Sequence, residues 1–239
     1  MSIYSIRERE LLKSLYLIFS RHSNLMADFD GFLRDSVRAM VAAIEVKDPY
    51  THEHSWRVSE YALILGRGLK LSHDELMMLE LGALLHDIGK IGVPDAVLIK
   101  PGKLTEDEYE VMKKHPLFSA AIVSKIEWLA DVVPIVKYHQ ERMDGLGYPA
   151  GLRGEEIPKF SRMVYVADSF DAMTSDRPYR KAMSLKEAFM ELERNAGKQF
   201  DSDLVKVFVG EYQKKKDTSR LSEFFPFHPQ KKRTKAVGG

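Results

Sequence analysis

A chain of 239 residues, 44% of them hydrophobic, can bury a real core in one large domain or two small ones. It contains no cysteine, which excludes a disulfide framework and thiolate metal ligation and fits a reducing cytoplasm; a metal would have to be held by His and carboxylates. The formal charge of +1 is unevenly spread: Gln213 to Gly239 carries eight basic and two acidic residues, net +6, which leaves −5 elsewhere and argues against DNA binding over the main body.

The N-terminus (MSIYSIRERELL) has charges where a secretory signal needs an apolar run. Leu11, Leu12, Leu15, Ile18 and Phe19, then Met26, Phe29, Phe32 and Leu33, predict one or two amphipathic helices. These form either a small dimerising or regulatory element or part of the core. The apolar stretches Leu11–Phe19 and Leu76–Leu85 are interrupted by Lys13 and Glu80 and are too short to span a bilayer.

Three capping boxes follow in order. Ser72-His73-Asp74-Glu75 precedes Leu76, Leu79, Ala83 and Leu84 at helical spacing; Thr105-Glu106-Asp107-Glu108 and Ser184-Leu185-Lys186-Glu187 open two more helices. Lys100-Pro101-Gly102-Lys103 reads as a turn. Asp144 to Pro158, with Gly145, Gly147, Pro149, Gly151 and Gly154, reads as a long irregular segment of functional kind. Asp201 and Ser202 cap a last helix through Val205, Phe208 and Val209. No strand-like alternation or internal repeat is present, so the expected class is all-α. The basic end reads as a solvated tail, or as a contact for RNA, anionic lipid or an acidic partner.

Two His-Asp pairs occur, where chance alone gives roughly 0.5 in a chain of this composition, so the dipeptide by itself is weak evidence. His73-Asp74 lies in a polar first helical turn and reads as structural. His86-Asp87 ends an apolar helix and runs into Ile88-Gly89-Lys90-Ile91-Gly92. Polar groups buried there need partners. An inert core histidine is one solution; a metal, joined by His54, His115, His139 and Asp168, is the other.

Tyr50 to Val58 (YTHEHSWRV), His86 to Thr105 (HDIGKIGVPDAVLIKPGKLT), Lys114-His115-Pro116, Tyr138 to Pro158 (YHQERMDGLGYPAGLRGEEIP) and Val166 to Met183 (VADSFDAMTSDRPYRKAM) together resemble the HD-GYP family. These are cyclic di-GMP phosphodiesterases of the HD superfamily, named for the tripeptide found here as Gly147-Tyr148-Pro149. The resemblance implies an HD-type helical bundle with an N-terminal helical extension. Residues 1–35 would form that extension, 36–212 the phosphodiesterase domain and 213–239 a basic, partly disordered tail. A homodimer through the N-terminal helices is a further expectation.

The resemblance also implies two divalent transition metal ions, iron or manganese first. His54, His86, Asp87 and Asp168 would hold one. Asp87, His115 and His139 would hold the other, with Asp87 bridging. Asp87 and Lys90 would be catalytic: a metal-bridged hydroxide attacks phosphorus, Lys90 faces the scissile phosphate, and the 3′ oxygen leaves. The products would be pGpG and, onward, GMP. Lys90, Asp171, Arg177, Arg180 and Tyr148 would handle substrate, with the two arginines on the other phosphate or a guanine edge. Asp144, Tyr148 and Arg153 read equally well as loop scaffold.

Two departures stand out. The family pairs two histidines before the Glu-Arg; here the second is Gln140, at most a weak ligand, which leaves the second metal site weaker, differently loaded or empty. Tyr50 stands where some members carry a Glu for a third metal. A cyclic di-GMP receptor or interaction module weakened at Gln140, and an HD-type hydrolase of another nucleotide, are the competing readings.

Overall fold

The computed structural model describes residues 31–48, 53–176 and 181–215. Among them every regular element is helical. The order is α1 (31–47), α2 (His54–Gly68), α3 (His73–Leu85), a 3-10 turn (Ile88–Gly92), α4 (Asp95–Leu98), α5 (Glu106–Met112) and α6 (His115–Val123). A second 3-10 turn (Glu127–Val132), α7 (Val133–Tyr138), a third 3-10 turn (Gly154–Glu156), α8 (Lys159–Thr174), α9 (Leu185–Arg194) and α10 (Ser202–Lys215) complete it. The all-α expectation holds.

The helix starts follow from local chemistry. At Ser72, Thr105 and Ser184 the hydroxyl accepts from the backbone N–H three residues on, and Glu75, Glu108 and Glu187 return a carboxylate to the cap N–H. Asp201 Oδ1 accepts from the N–H groups of Asp203 and Leu204 at 3.0 and 3.3 Å, capping α10. Pro116 and Pro134 sit in the first turns of α6 and α7, where no N–H is needed.

Helix α3 is the central post. Its C-terminal half, Leu79 to Leu85, is buried all round. Leu79 and Ala83 join Val58, Met163, Phe170 and Phe208 in one apolar cluster; Leu81, Leu84 and Leu85 join Leu129, Val136 and the α1 stripe Val37, Val41 and Ile44 in the other. Gly82 lets α7 approach closely, since a Cβ there would lie 2.5 Å from Ile135 Cγ2. A helix buried on every side must end in a polar group that something else satisfies, and α3 ends at His86-Asp87.

In its described part, α1 completes the core and runs unbroken across the boundary expected between 35 and 36. The remaining expectations for the N-terminal helices and the dimer they would form, for Tyr50, for Arg177 and Arg180, and for the tail beyond 215 lie outside the described residues. No helix among the described residues is long and apolar enough to cross a membrane.

Candidate active site

Helix ends deliver the site. His54 opens α2, His86 caps the C-terminus of α3, His115 opens α6 and His139 caps the C-terminus of α7. Asp168 and Asp171 come from the last two turns of α8. Gly89 makes the convergence possible: a Cβ there would overlap the backbone of His115 and Ser119. Ser119 fastens the contact, accepting from Gly89 N at 2.8 Å and donating to His86 O at 2.7 Å.

All four imidazoles are held by the same nitrogen. Nδ1 of His86, His115 and His139 lies 2.7, 2.9 and 2.8 Å from the carbonyl oxygens of Ala83, Met112 and Val136. A carbonyl can only accept, so Nδ1 carries the proton and the Nε2 lone pair points away from it. His54 Nδ1 lies 2.7 Å from Asp171 Oδ2, and Arg57 grips that carboxylate through Nε and Nη2 at 2.5 and 3.0 Å.

The free nitrogens converge on Asp87. Its Oδ2 is 3.3 Å from His86 Nε2 and 3.7 Å from His54 Nε2; its Oδ1 is 3.4 Å from His115 Nε2 and 3.9 Å from His139 Nε2. One carboxylate thus divides two histidine pairs, giving the groups His54-His86-Asp87 and Asp87-His115-His139. Asp168 belongs to neither tight group, but its Oδ1 is 3.4 Å from His54 Nε2.

Electrostatics and orphaned atoms show that this arrangement suits cations. Burial alone would push the Asp87 carboxyl up, but Lys90, His86 and His115 outweigh it and hold it well below the usual range. Burial opposes protonation of His86, yet Asp87 and Asp168 raise its pKa to about 9, so a metal ion at Nε2 would displace a proton there. Burial lowers His115 and His139, so both are neutral and able to ligate. His86 Nε2 is buried without a hydrogen-bond partner, and the Nε2 atoms of His115 and His139 face each other at 3.2 Å with lone pair against lone pair. Divalent metal ions between these nitrogens and the Asp87 oxygens would satisfy all of them, and a set of imidazoles and carboxylates suits transition metals better than magnesium.

A cavity of about 370 Å³ opens above this floor, in the range of small-molecule sites. Lys90 lies on its wall, bonded to Asp87 Oδ2 at 2.8 Å and to Asp48 Oδ2 at 3.3 Å. Burial works against its charge, but those two carboxylates raise its pKa and keep it cationic. Tyr148 forms another wall, edge-on to His115 with ring centroids 6.2 Å apart; burial raises its pKa and keeps the phenol protonated.

A model of the HD domain family matches residues 38–204. The chain belongs to the HD domain family. A cyclic di-GMP phosphodiesterase of Thermotoga maritima is 37% identical over 203 residues, covering 84% of this chain and 55% of that one. The cyclic di-GMP phosphodiesterase response regulator RpfG of Xanthomonas campestris is 40% identical over 207 residues, covering 86% and 53%. The chain therefore spans about half the length of the curated relatives it matches. A crystal structure of a cyclic GMP-AMP specific phosphodiesterase of Vibrio cholerae shares the fold, with TM-score 0.61 at 21% identity over 76% of this chain and 49% of that one.

Within this HD domain, the structure brings His54, His86, Asp87, His115, His139, Asp168, Lys90 and Tyr148 to one place. Asp171, expected among substrate contacts, is buried on the cavity floor with its oxygens engaged by Arg57 and His54. Gln140 lines the cavity and donates through Nε2 to Asp168 Oδ2 at 3.2 Å. Asp144 is loop scaffold: Arg142 binds its carboxylate at 3.0 and 2.6 Å, and Arg153 donates to its carbonyl.

Three residues carry roles that sequence reasoning missed. Arg57 braces Asp171; its place one helical turn after His54 was the available signal. Asp48 shares Lys90. Glu141, buried, accepts from the N–H groups of Ala150, Gly151 and Leu152 at 2.7, 3.1 and 3.1 Å and so gathers the irregular loop around one carboxylate. A buried acid just before a glycine-rich run needs such donors, and the loop's own backbone supplies them. Gly147 is required where the loop folds back, because a Cβ would lie 2.6 Å from Gln140 O and 2.5 Å from Glu141 Cα.

Proposed function

We infer that the chain is a metal-dependent phosphodiesterase of HD-GYP type that hydrolyses cyclic di-GMP to pGpG, and onward to GMP. The observation that carries this is the division of four oriented imidazoles between the two oxygens of Asp87. The names of the relatives supply the substrate class. The catalytic unit assigned is 36–212, and the cytoplasm is the assigned location, which the absence of cysteine supports.

His54, His86, Asp87 and Asp168 would hold one divalent ion, and Asp87, His115 and His139 the other, with iron or manganese the metals assigned. Such ions supply Lewis acidity at a phosphoryl oxygen and lower the pKa of water. The chain's own residues do the rest. The carbonyls of Ala83, Met112 and Val136 and the carboxylate of Asp171 fix the imidazoles before substrate arrives. Lys90, kept charged by Asp87 and Asp48, offers an ammonium to a phosphate oxygen and stabilises charge that grows there. Arg177 and Arg180 are assigned to the second phosphate or a guanine edge.

Gln140 favours a second reading. Its amide faces Asp168 as a donor, where the family's second histidine would add a ligand. A protein weakened in this way would act as a cyclic di-GMP receptor. Chromatography of cyclic di-GMP incubated with manganese- or iron-loaded protein separates the two. Appearance of pGpG supports the enzyme; tight binding without turnover under either metal supports the receptor.

A further inference from the structure

Helix α5 has no buried residue, although Tyr109 and Met112 both line the cavity. With Leu98 and Leu104 they form a partly exposed apolar rim of the cavity whose floor holds Asp87 and His115. An element that buries nothing in the core is nevertheless firmly placed: Thr105 and Glu108 box its start, and Lys100 holds Glu108 at 2.6 Å. Apolar surface kept in a fixed position beside a polar cavity marks a surface that a ligand covers.

The rings show which part of a ligand. From the floor outward, His115 meets Tyr148 at 6.2 Å and Tyr148 meets Tyr109 at 6.4 Å, each pair edge to face. Tyr109 is 48% exposed, with the Lys113 ammonium 5.4 Å from its centroid. Lys100 is committed to Glu108 and Lys113 to Glu110, so the rim offers flat apolar surface rather than a phosphate site. A nucleotide whose phosphate rests on the floor carries its base one sugar further out, toward this rim. Every base offers a π-face, and aromatic side chains bind it by stacking.

We propose that Tyr109, backed by Leu98, Leu104 and Met112, is a stacking platform for a purine base of the cyclic dinucleotide. It is a binding residue that sets affinity for the base-bearing substrate, and it rests on the function inferred above. The test is titration of a hydrolysis-resistant bis-phosphorothioate analogue of cyclic di-GMP into the manganese-loaded full chain. Tyr109→Ala is expected to weaken Kd roughly 5- to 150-fold, the range for loss of one base stack. Tyr109→Phe should bind within about 3-fold of the natural chain, and metal content and melting temperature should be unchanged in both. Equal binding by Tyr109→Ala and the natural chain overturns the platform and leaves the phosphodiesterase reading intact. Loss of metal from Tyr109→Ala also overturns it, since the residue would then act through the fold. A natural chain that holds metal but does not bind the analogue overturns both.

Discussion

His54 and Asp171, 117 positions apart in sequence, meet at 2.7 Å, and the carboxylate that turns the imidazole is itself clamped by Arg57. Burial disfavours the charge on Asp171, but His54 and Arg57 outweigh it and hold its pKa below the usual range. The pair fixes which nitrogen of His54 faces the cavity. Asp171→Ala should lower metal affinity at the His54-His86-Asp87 group by about 10- to 100-fold, as loss of an orienting carboxylate does elsewhere. Metal titration followed by calorimetry checks this: one of two binding steps should weaken and the step assigned to His115 and His139 persist.

Gly89 carries a different burden. Its hydrogen stands against the start of α6, so Gly89→Ala must push α6 away from the His86-Asp87 turn. Overpacking of this kind costs about 1–3 kcal/mol. In a chain of this size that corresponds to a fall in melting temperature of several degrees, about 2–4 °C per kcal/mol. His115 should lose its place at Asp87 in the same variant, and metal content should drop with it.

Gln140→His tests the departure from the family. A histidine there would replace the amide that bonds Asp168 with an imidazole able to ligate. Metal bound per chain and the rate of pGpG formation should both rise. Unchanged values would mean that Gln140 limits neither.

The capping glutamates give a pH dependence of their own. The Ser72 N–H lowers the Glu75 pKa, Lys100 and then the Thr105 N–H lower that of Glu108, and Ser184 lowers that of Glu187. Depressed folded-state pKa values mean stabilisation present above the ordinary glutamate range and lost as pH falls through the folded values. Helicity followed by circular dichroism should decline below about pH 4, and Glu75→Gln with Glu187→Gln should flatten that part of the profile.

Much of this was legible in the sequence for local reasons. A capping box is a four-residue pattern, so all three predicted starts appear at Ser72, Thr105 and Ser184. The separation of His86-Asp87 from His73-Asp74 followed from the apolar run before it, and the structure leaves His73 exposed while burying His86. The stretch between α9 and α10 has a second use beyond joining helices. Lys198 and Gln199 carbonyls accept from the N–H groups of Asp144 and Met143, bracing the loop. Such contacts depend on tertiary packing, as do Arg57 with Asp171 and Asp48 with Lys90, and no local pattern encodes them. The reach of Glu141 across its own loop depends on how that loop turns.

The proposed function depends above all on Asp87 joining two metal sites into one phosphodiesterase centre. Metal content per chain and hydrolysis of cyclic di-GMP, measured together on the natural chain and on Asp87→Asn, test it most directly. Bound transition metal and pGpG formation are expected in the natural chain, and loss of both in Asp87→Asn with helicity retained. Undiminished pGpG formation by Asp87→Asn, or by natural chain stripped of metal with a chelator, would contradict it.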